Sequence, residues 1–173
     1  TTAVFGNCGV GFAPVRRGSE EFLINLMEGV EDIPGTVLAE GIDFTWQSYP
    51  EYLDVLESMP RVMDIGSQIP HGALRFFVMG ERGAVHDEVP TIDELLQFER
   101  LVTEGFEAGA LGFTTSRTTK HKAADGRLTP SLSAGEPELA AIANAMRSCG
   151  AGVLQVNSDF GPGEFEILLE AAR

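Results

Sequence analysis

The sequence is poor in cysteine, in cations and in long apolar runs. Cys8 and Cys149 are its two cysteines, too few and too far apart for a disulfide framework, a zinc ribbon or a redox pair. Lys and Arg number 12 against 26 Asp and Glu, a formal net charge of −14, so no basic stripe exists to neutralise a phosphate backbone. Nucleic acid and anionic membrane are therefore not expected as partners, and the acidity reads as a solvated surface. No uninterrupted apolar run approaches the roughly 18 residues of a membrane span. The first residues, Thr1-Thr2-Ala3-Val4-Phe5, lack the basic start of a signal peptide. Unpaired cysteines fit a reducing compartment, and a cytoplasmic location is expected. What is present is globular. Hydrophobic residues make up 43% at a mean hydropathy of +0.03, enough apolar surface for a core, and the length fits one domain over residues 1–173.

Short β-rich runs alternate with capped amphipathic stretches, the pattern of a parallel sheet with helices on its faces. Strands are expected at residues 1–5, 62–66, 110–114 and 153–156. Helices are expected at 19–30 behind Ser19, at 49–59 behind the capping box of Ser48 and Glu51, and, behind that of Thr91 and Glu94, over a stretch that carries Ile92 to Phe106 on one face and is ended by Gly109. Two more are expected: one capped by Ser133-Ala134-Gly135-Glu136 and stopped by Gly150, and one from 164 to 173. Residues 114–130 form a polar segment too long for an idle loop, so function or partial order is expected there. The fold class is α/β, with no internal repeat.

In parallel α/β folds the ligand lies beyond the carboxyl ends of the strands. Those positions hold Asn7 and Cys8, then His71, then Thr115, Ser116, Arg117, His121 and Lys122, then Asn157, Ser158 and Asp159. Cys8, between Asn7 and Gly9, suits a thiolate metal ligand, a nucleophile or a small buried hydrophobe. Gly9-Val10-Gly11 follows a strand, but Pro14 stands where a dinucleotide fingerprint needs its third glycine. His71, between Pro70 and Gly72, is expected to face the crevice or to serve as a satisfied structural histidine. Arg75 and Arg117 can clamp a substrate carboxylate or pair with acids. His121 and Lys122 can act if the polar segment closes as a lid. His86 reads as surface.

Residues 1–14 (TTAVFGNCGVGFAP), 70–75 (PHGALR), 78–80 (VMG) and 108–115 (AGALGFTT) resemble, in this order, the N-acyl-D-amino-acid deacylases of the amidohydrolase superfamily. The resemblance implies part of a (β/α)8 TIM-like barrel, its second to fifth strands with their helices, incomplete at both ends. It implies a metal-dependent hydrolase in which zinc, one or two ions in the complete protein, activates water against the amide of an N-acyl amino acid or related small molecule. The remainder of the barrel is the implied partner. Cys8 matches the family's metal-binding cysteine, and His71 matches a site-lining histidine, with Pro70 replacing a glycine. Arg117, His121 and Lys122 stand where the family places a substrate loop.

Two family features are missing. Residues 153–160 (VLQVNSDF) carry no metal-binding histidine, leaving Gln155, Asn157 or Asp159 as replacements, and the substrate tyrosine after the fourth strand is absent. Cys8 alone cannot hold a catalytic zinc, which needs three protein ligands, so the isolated chain is expected to be inactive. Two alternatives follow: a metal-free hydrolase built on Cys8 and His71 with Asn157 or Asp159 as orienter, or a degenerate barrel retained as a binding or scaffold module.

Overall fold

The computed structural model describes residues 1–172. Strands β1 (Thr2–Phe5), β2 (Asp64–Pro70), β3 (Gly112–Arg117) and β4 (Val153–Ser158) are parallel and ordered β1-β2-β3-β4, curled into a half-barrel. Helices α1 (Glu20–Glu31), α2 (Gly35–Gly41) and α3 (Tyr49–Ser58) follow β1. Helices α4 (His71–Met79) and α5 (Ile92–Glu107) follow β2, α6 (Glu136–Cys149) follows β3, and α7 (Glu164–Ala172) follows β4. The strands are stepped: Asp64 to Ser67 of β2 pair with β1, while Gln68 to Pro70 pair with β3. That stagger is what tilts strands in a closing barrel.

Alternation along the strands separates two environments. Ile69 and Phe113 face the helices, packing with Leu74, Phe98, Val102 and Ile142 in the main core. Phe98 and Phe113 are completely buried, each contributing roughly 1.5–3 kcal/mol of transfer free energy. The residues between them in sequence, including Gln68, Thr114 and Gln155, share the opposite, concave face. Both capping boxes form: the Ser48 hydroxyl accepts from Glu51 N–H while the Glu51 carboxylate accepts from Ser48 N–H, and Thr91 and Glu94 do the same.

Several boundaries differ from expectation. β2 begins at Asp64, the partner of Thr2, so Val62 lies outside the register and is fully exposed. β3 and β4 run on to Arg117 and Ser158 because their pairing continues to their ends. The Ser133 cap is not formed. Gly135 is the N-cap of α6, and Ser133 sits in a single 3-10 turn (Pro130–Ser133) with its hydroxyl on His86 Nδ1, 3.1 Å away. His86 is therefore half-buried rather than free on the surface. Helices α2 and α4 lie outside the stretches expected to be helical, because Gly35, Gly41, Pro70 and Gly72 are residues that commonly break a helical pattern. Pro70 is in fact the N-cap of α4, where its missing N–H costs nothing.

Candidate functional site

The site is assembled at the carboxyl ends of the strands, starting from the turn after β1. Gly9 has φ +78°, and a Cβ there would lie 2.4 Å from Ser116 N, so only glycine lets this turn cross the end of β3. The Gly9 carbonyl accepts from Gly72 N–H at 3.0 Å, tying the turn to α4. Cys8 is thereby held half-buried in the lining of a cavity of about 530 Å³, together with Val10, Phe12, Met27 and Leu38 among others. Its thiol donates to the Glu31 carboxylate at 2.9 Å. Burial first, and then this hydrogen bond, push the thiol up to about 12, so it holds its proton at neutral pH.

Ser116 links this turn to the segment after β3. Its Oγ lies 2.8 Å from His121 Nδ1, and Asn157 Nδ2 on β4 lies 3.3 Å from His121 Nε2. With Asn157 donating to Nε2, Nδ1 carries the proton and donates to Ser116. The loop bearing His121 is well anchored. Asp159 accepts from Thr118 Oγ1 at 2.6 Å and from Thr119 N–H at 2.8 Å, and these bonds hold its carboxyl below its ordinary range. Ala123 is buried against Val10 and Leu26, the cluster that Cys8 also packs on, and Ala124 N–H donates to Asn25 O at 2.9 Å. The 114–130 segment is thus partly ordered, with a bridge between Lys122 and Leu128.

Below this rim the concave face is neutral and polar. Gln68 Nε2 donates to Gln155 Oε1 at 2.7 Å, and Gln155 Nε2 donates to the Asn7 carbonyl at 2.8 Å and to Asn7 Oδ1. Gly112, between Gln68 and Val153 in the register, leaves room for the two glutamines to meet.

His71 and Arg117 are placed differently from the crevice positions expected for them. Arg117 and Thr115 alternate with Ser116 and so share the helix-facing side with Phe113. Arg117 pairs with Glu164 (Nη2 to Oε2 2.9 Å) and donates to the Ala134 carbonyl at 2.6 Å. His71 opens α4 and is completely buried, with Nδ1 2.8 Å from Thr115 Oγ1 and Nε2 2.7 Å from Glu138. Burial lowers its pKa, despite the neighbouring carboxylate, so it is neutral: Nε2–H donates to Glu138 and Nδ1 accepts from Thr115. Burial would raise the Glu138 carboxyl, but His71 and Arg75 outweigh it and hold it low. Arg75, also fully buried, donates to Glu138 and to the carbonyls of Gly83 (3.1 Å) and Glu88 (2.6 Å).

The roles of Glu138, Ser116 and Gln68 escaped sequence reasoning. For Glu138 a signal existed: it lies four residues before Ile142, on the apolar face of α6. Among the described residues, no three His, Cys, Asp or Glu side chains come together as a metal site. Cys8 and Glu31 supply two donors, short of the three a catalytic zinc needs. Cys8 and His71 have separate partners and form no nucleophile–base pair.

No protein-family model matches the chain. It is 32% identical over 117 residues to an uncharacterised protein of Mycobacterium tuberculosis, covering 66% of this chain and 19% of that one. Over 117 residues it is 26% identical to the D-aminoacylase of Alcaligenes xylosoxydans xylosoxydans, covering 66% of this chain and 21% of the enzyme. A solved D-aminoacylase structure that addresses a binuclear metal centre superposes with a TM-score of 0.66 at 24% identity, over 98% of this chain and 31% of the other. The N-acyl-D-glutamate deacylase of Bordetella bronchiseptica, solved with zinc and a phosphonate inhibitor, gives 0.67 at 21% identity, over 100% and 32%. The chain spans about a fifth of the curated relatives and a third of the solved ones.

Proposed function

We propose that this chain is a D-aminoacylase-like segment of an amidohydrolase barrel and that its parent hydrolyses the amide of N-acyl amino acids or related small molecules, a reading supported by the likeness to D-aminoacylases in sequence and fold. The observation that carries this reading is the convergence of the Cys8 turn, Ser116, His121 and Asn157 at the carboxyl ends of parallel barrel strands, where such barrels do their chemistry. Cys8 is assigned as one zinc ligand, the others coming from outside these 173 residues. The chain by itself, a partial barrel domain over 1–173, is then inactive. His121 and Lys122 are the substrate-loop groups. His71 and Arg117 support the site from behind by fixing Thr115 and the end of β3. The setting is assigned as cytoplasmic, without nucleic-acid or membrane partners.

The test uses the intact protein. Amine release from N-acetyl-D- and N-acetyl-L-amino acids is measured with and without chelator, alongside metal content of the wild type and Cys8→Ala. Chelator-sensitive hydrolysis and loss of zinc in Cys8→Ala are expected. Stoichiometric zinc unchanged in Cys8→Ala overturns the ligand assignment, and chelator-insensitive activity abolished by iodoacetamide favours a cysteine hydrolase instead.

A further inference from the structure

The cavity that Cys8 lines is at the carboxyl ends of β1 and β2, bounded by Phe5 and Pro70 on the strands, Met27 on α1 and Leu38 on α2. Val10 and Phe12, in the turn that carries Cys8, add to the same apolar wall. Among the described residues Glu31 is the one charged side chain in the lining, and no lysine, arginine or histidine reaches it. That carboxylate stands beside the thiol, accepting its proton at 2.9 Å. The cavity thus joins Cys8 to a largely aliphatic and aromatic surface whose only charge is negative.

An N-acyl amino acid extends from its amide in two directions. The amino-acid arm bears a carboxylate one carbon from the amide nitrogen, and the acyl arm bears no charge. With the scissile amide beside Cys8, as the amide-hydrolase reading places it, one of the two arms enters this cavity. A carboxylate drawn from water into apolar surroundings without a cation is strongly disfavoured, more so next to a like charge. An aliphatic chain gains by the same transfer. Space is sufficient, since an apolar cavity of about 150 Å³ holds a benzene and the volume here is about 530 Å³, within the roughly 300–1,000 Å³ of ligand sites.

We propose that this cavity takes the acyl chain, and that the preferred substrates of the parent carry a medium-length aliphatic acyl group, of about eight carbons, rather than acetyl. This deepens the amide-hydrolase reading and rests on it for the reaction. Each methylene that leaves water for the cavity tightens binding about threefold to fourfold, until the chain meets the end wall. The gain is in KM, because a chain remote from the reacting atoms is held alike in the substrate and the transition state.

The test compares N-acetyl-, N-butanoyl- and N-octanoylalanine of each hand on the intact protein, by kcat/KM and, after chelation, by calorimetric binding. The wild type is expected to favour octanoyl over acetyl by about a hundredfold or more, with binding that tightens in step with chain length. Met27→Trp, which fills the cavity from α1, lowers the octanoyl-to-acetyl ratio about tenfold or more, whereas Leu38→Ala, which enlarges it, moves the optimum to a longer chain. Ile92→Trp, on the exposed side of α5, leaves the ratio unchanged. Hydrolysis without chain-length preference, the result expected where the rest of the parent chain fills this cavity, overturns the acyl assignment and leaves the hydrolase reading standing. So does a preference that neither Met27→Trp nor Leu38→Ala moves. A Met27→Trp effect that tracks the length of the amino-acid side chain at constant acetyl overturns it in favour of the other arm. Length-dependent binding lost in Met27→Trp, without hydrolysis of any compound, sustains the acyl assignment and overturns the hydrolase reading. No binding and no hydrolysis of any compound overturns both.

Discussion

Replacing Glu138 by Ala tests whether the buried cluster behind the site is a true ionic keystone. Glu138, His71 and Arg75 are all completely buried, and the Glu138 carboxylate sits between an imidazole 2.7 Å away and a guanidinium. Removing it strands the Arg75 charge with only the Gly83 and Glu88 carbonyls as partners. Breaking a buried pair from one side costs about 3–5 kcal/mol, a large share of a typical stability of about 5–15 kcal/mol. At about 2–4 °C per kcal/mol for a domain of this size, the midpoint falls by about 6–20 °C. Thermal and urea unfolding of the intact protein, followed by circular dichroism, measures this. Glu138→Gln keeps an acceptor for His71 and should lose less. Because the folded-state pKa of Glu138 is depressed, its contribution is present above the ordinary carboxylate range and lost as pH falls through the folded value. His71, also depressed, adds a loss in the same direction, beginning as pH falls below its ordinary value of 6.5. The penalty of Glu138→Ala should therefore be largest near neutrality and shrink in acid. A loss below about 1 kcal/mol at pH 7, or a loss independent of pH, would refute the reasoning.

Other consequences are equally direct. In metal-free protein, Cys8 should react slowly with iodoacetamide at pH 8, since its thiol titrates only at about 12; Glu31→Gln removes an acceptor that holds the proton and should accelerate alkylation several-fold. Gly9→Ala meets both a φ of +78° and the Ser116 backbone, and should cost about 2–3 kcal/mol in urea unfolding while lowering zinc retention by the intact protein. Asp159→Ala removes the acceptor for Thr118 and Thr119 and should expose residues 118–128 to limited proteolysis, with unchanged global unfolding. Unchanged cleavage there would show that Asp159 does not anchor the loop.

The local signals that proved legible were those with a self-contained physical cause. Ser48 with Glu51, and Thr91 with Glu94, satisfy helix donors from three residues away, and such caps need no tertiary partner to be seen. The apolar stripe of α5, with Phe98 and Val102, likewise announces its buried face. Helix α4 was invisible for the opposite reason. Its first turn pairs Pro70 with Gly72, and its polar His71 and Arg75 are buried only because Glu138, far along the chain, meets them.

From the sequence alone came the alternating α/β order, the parallel strands, the strand-end position of Cys8 and the likeness to D-aminoacylases. Each depends on spacing, composition or short motifs. Only the tertiary structure decided which side chains face which way. The two-residue alternation of β3 sends Thr115 and Arg117 to the helices and Ser116 to the rim, and a one-residue slip in the pairing register would invert that assignment. It also turned Glu31 and Glu138, unremarkable acids in an acidic chain, into the partners of Cys8 and His71, because a buried polar group is defined by what folds against it.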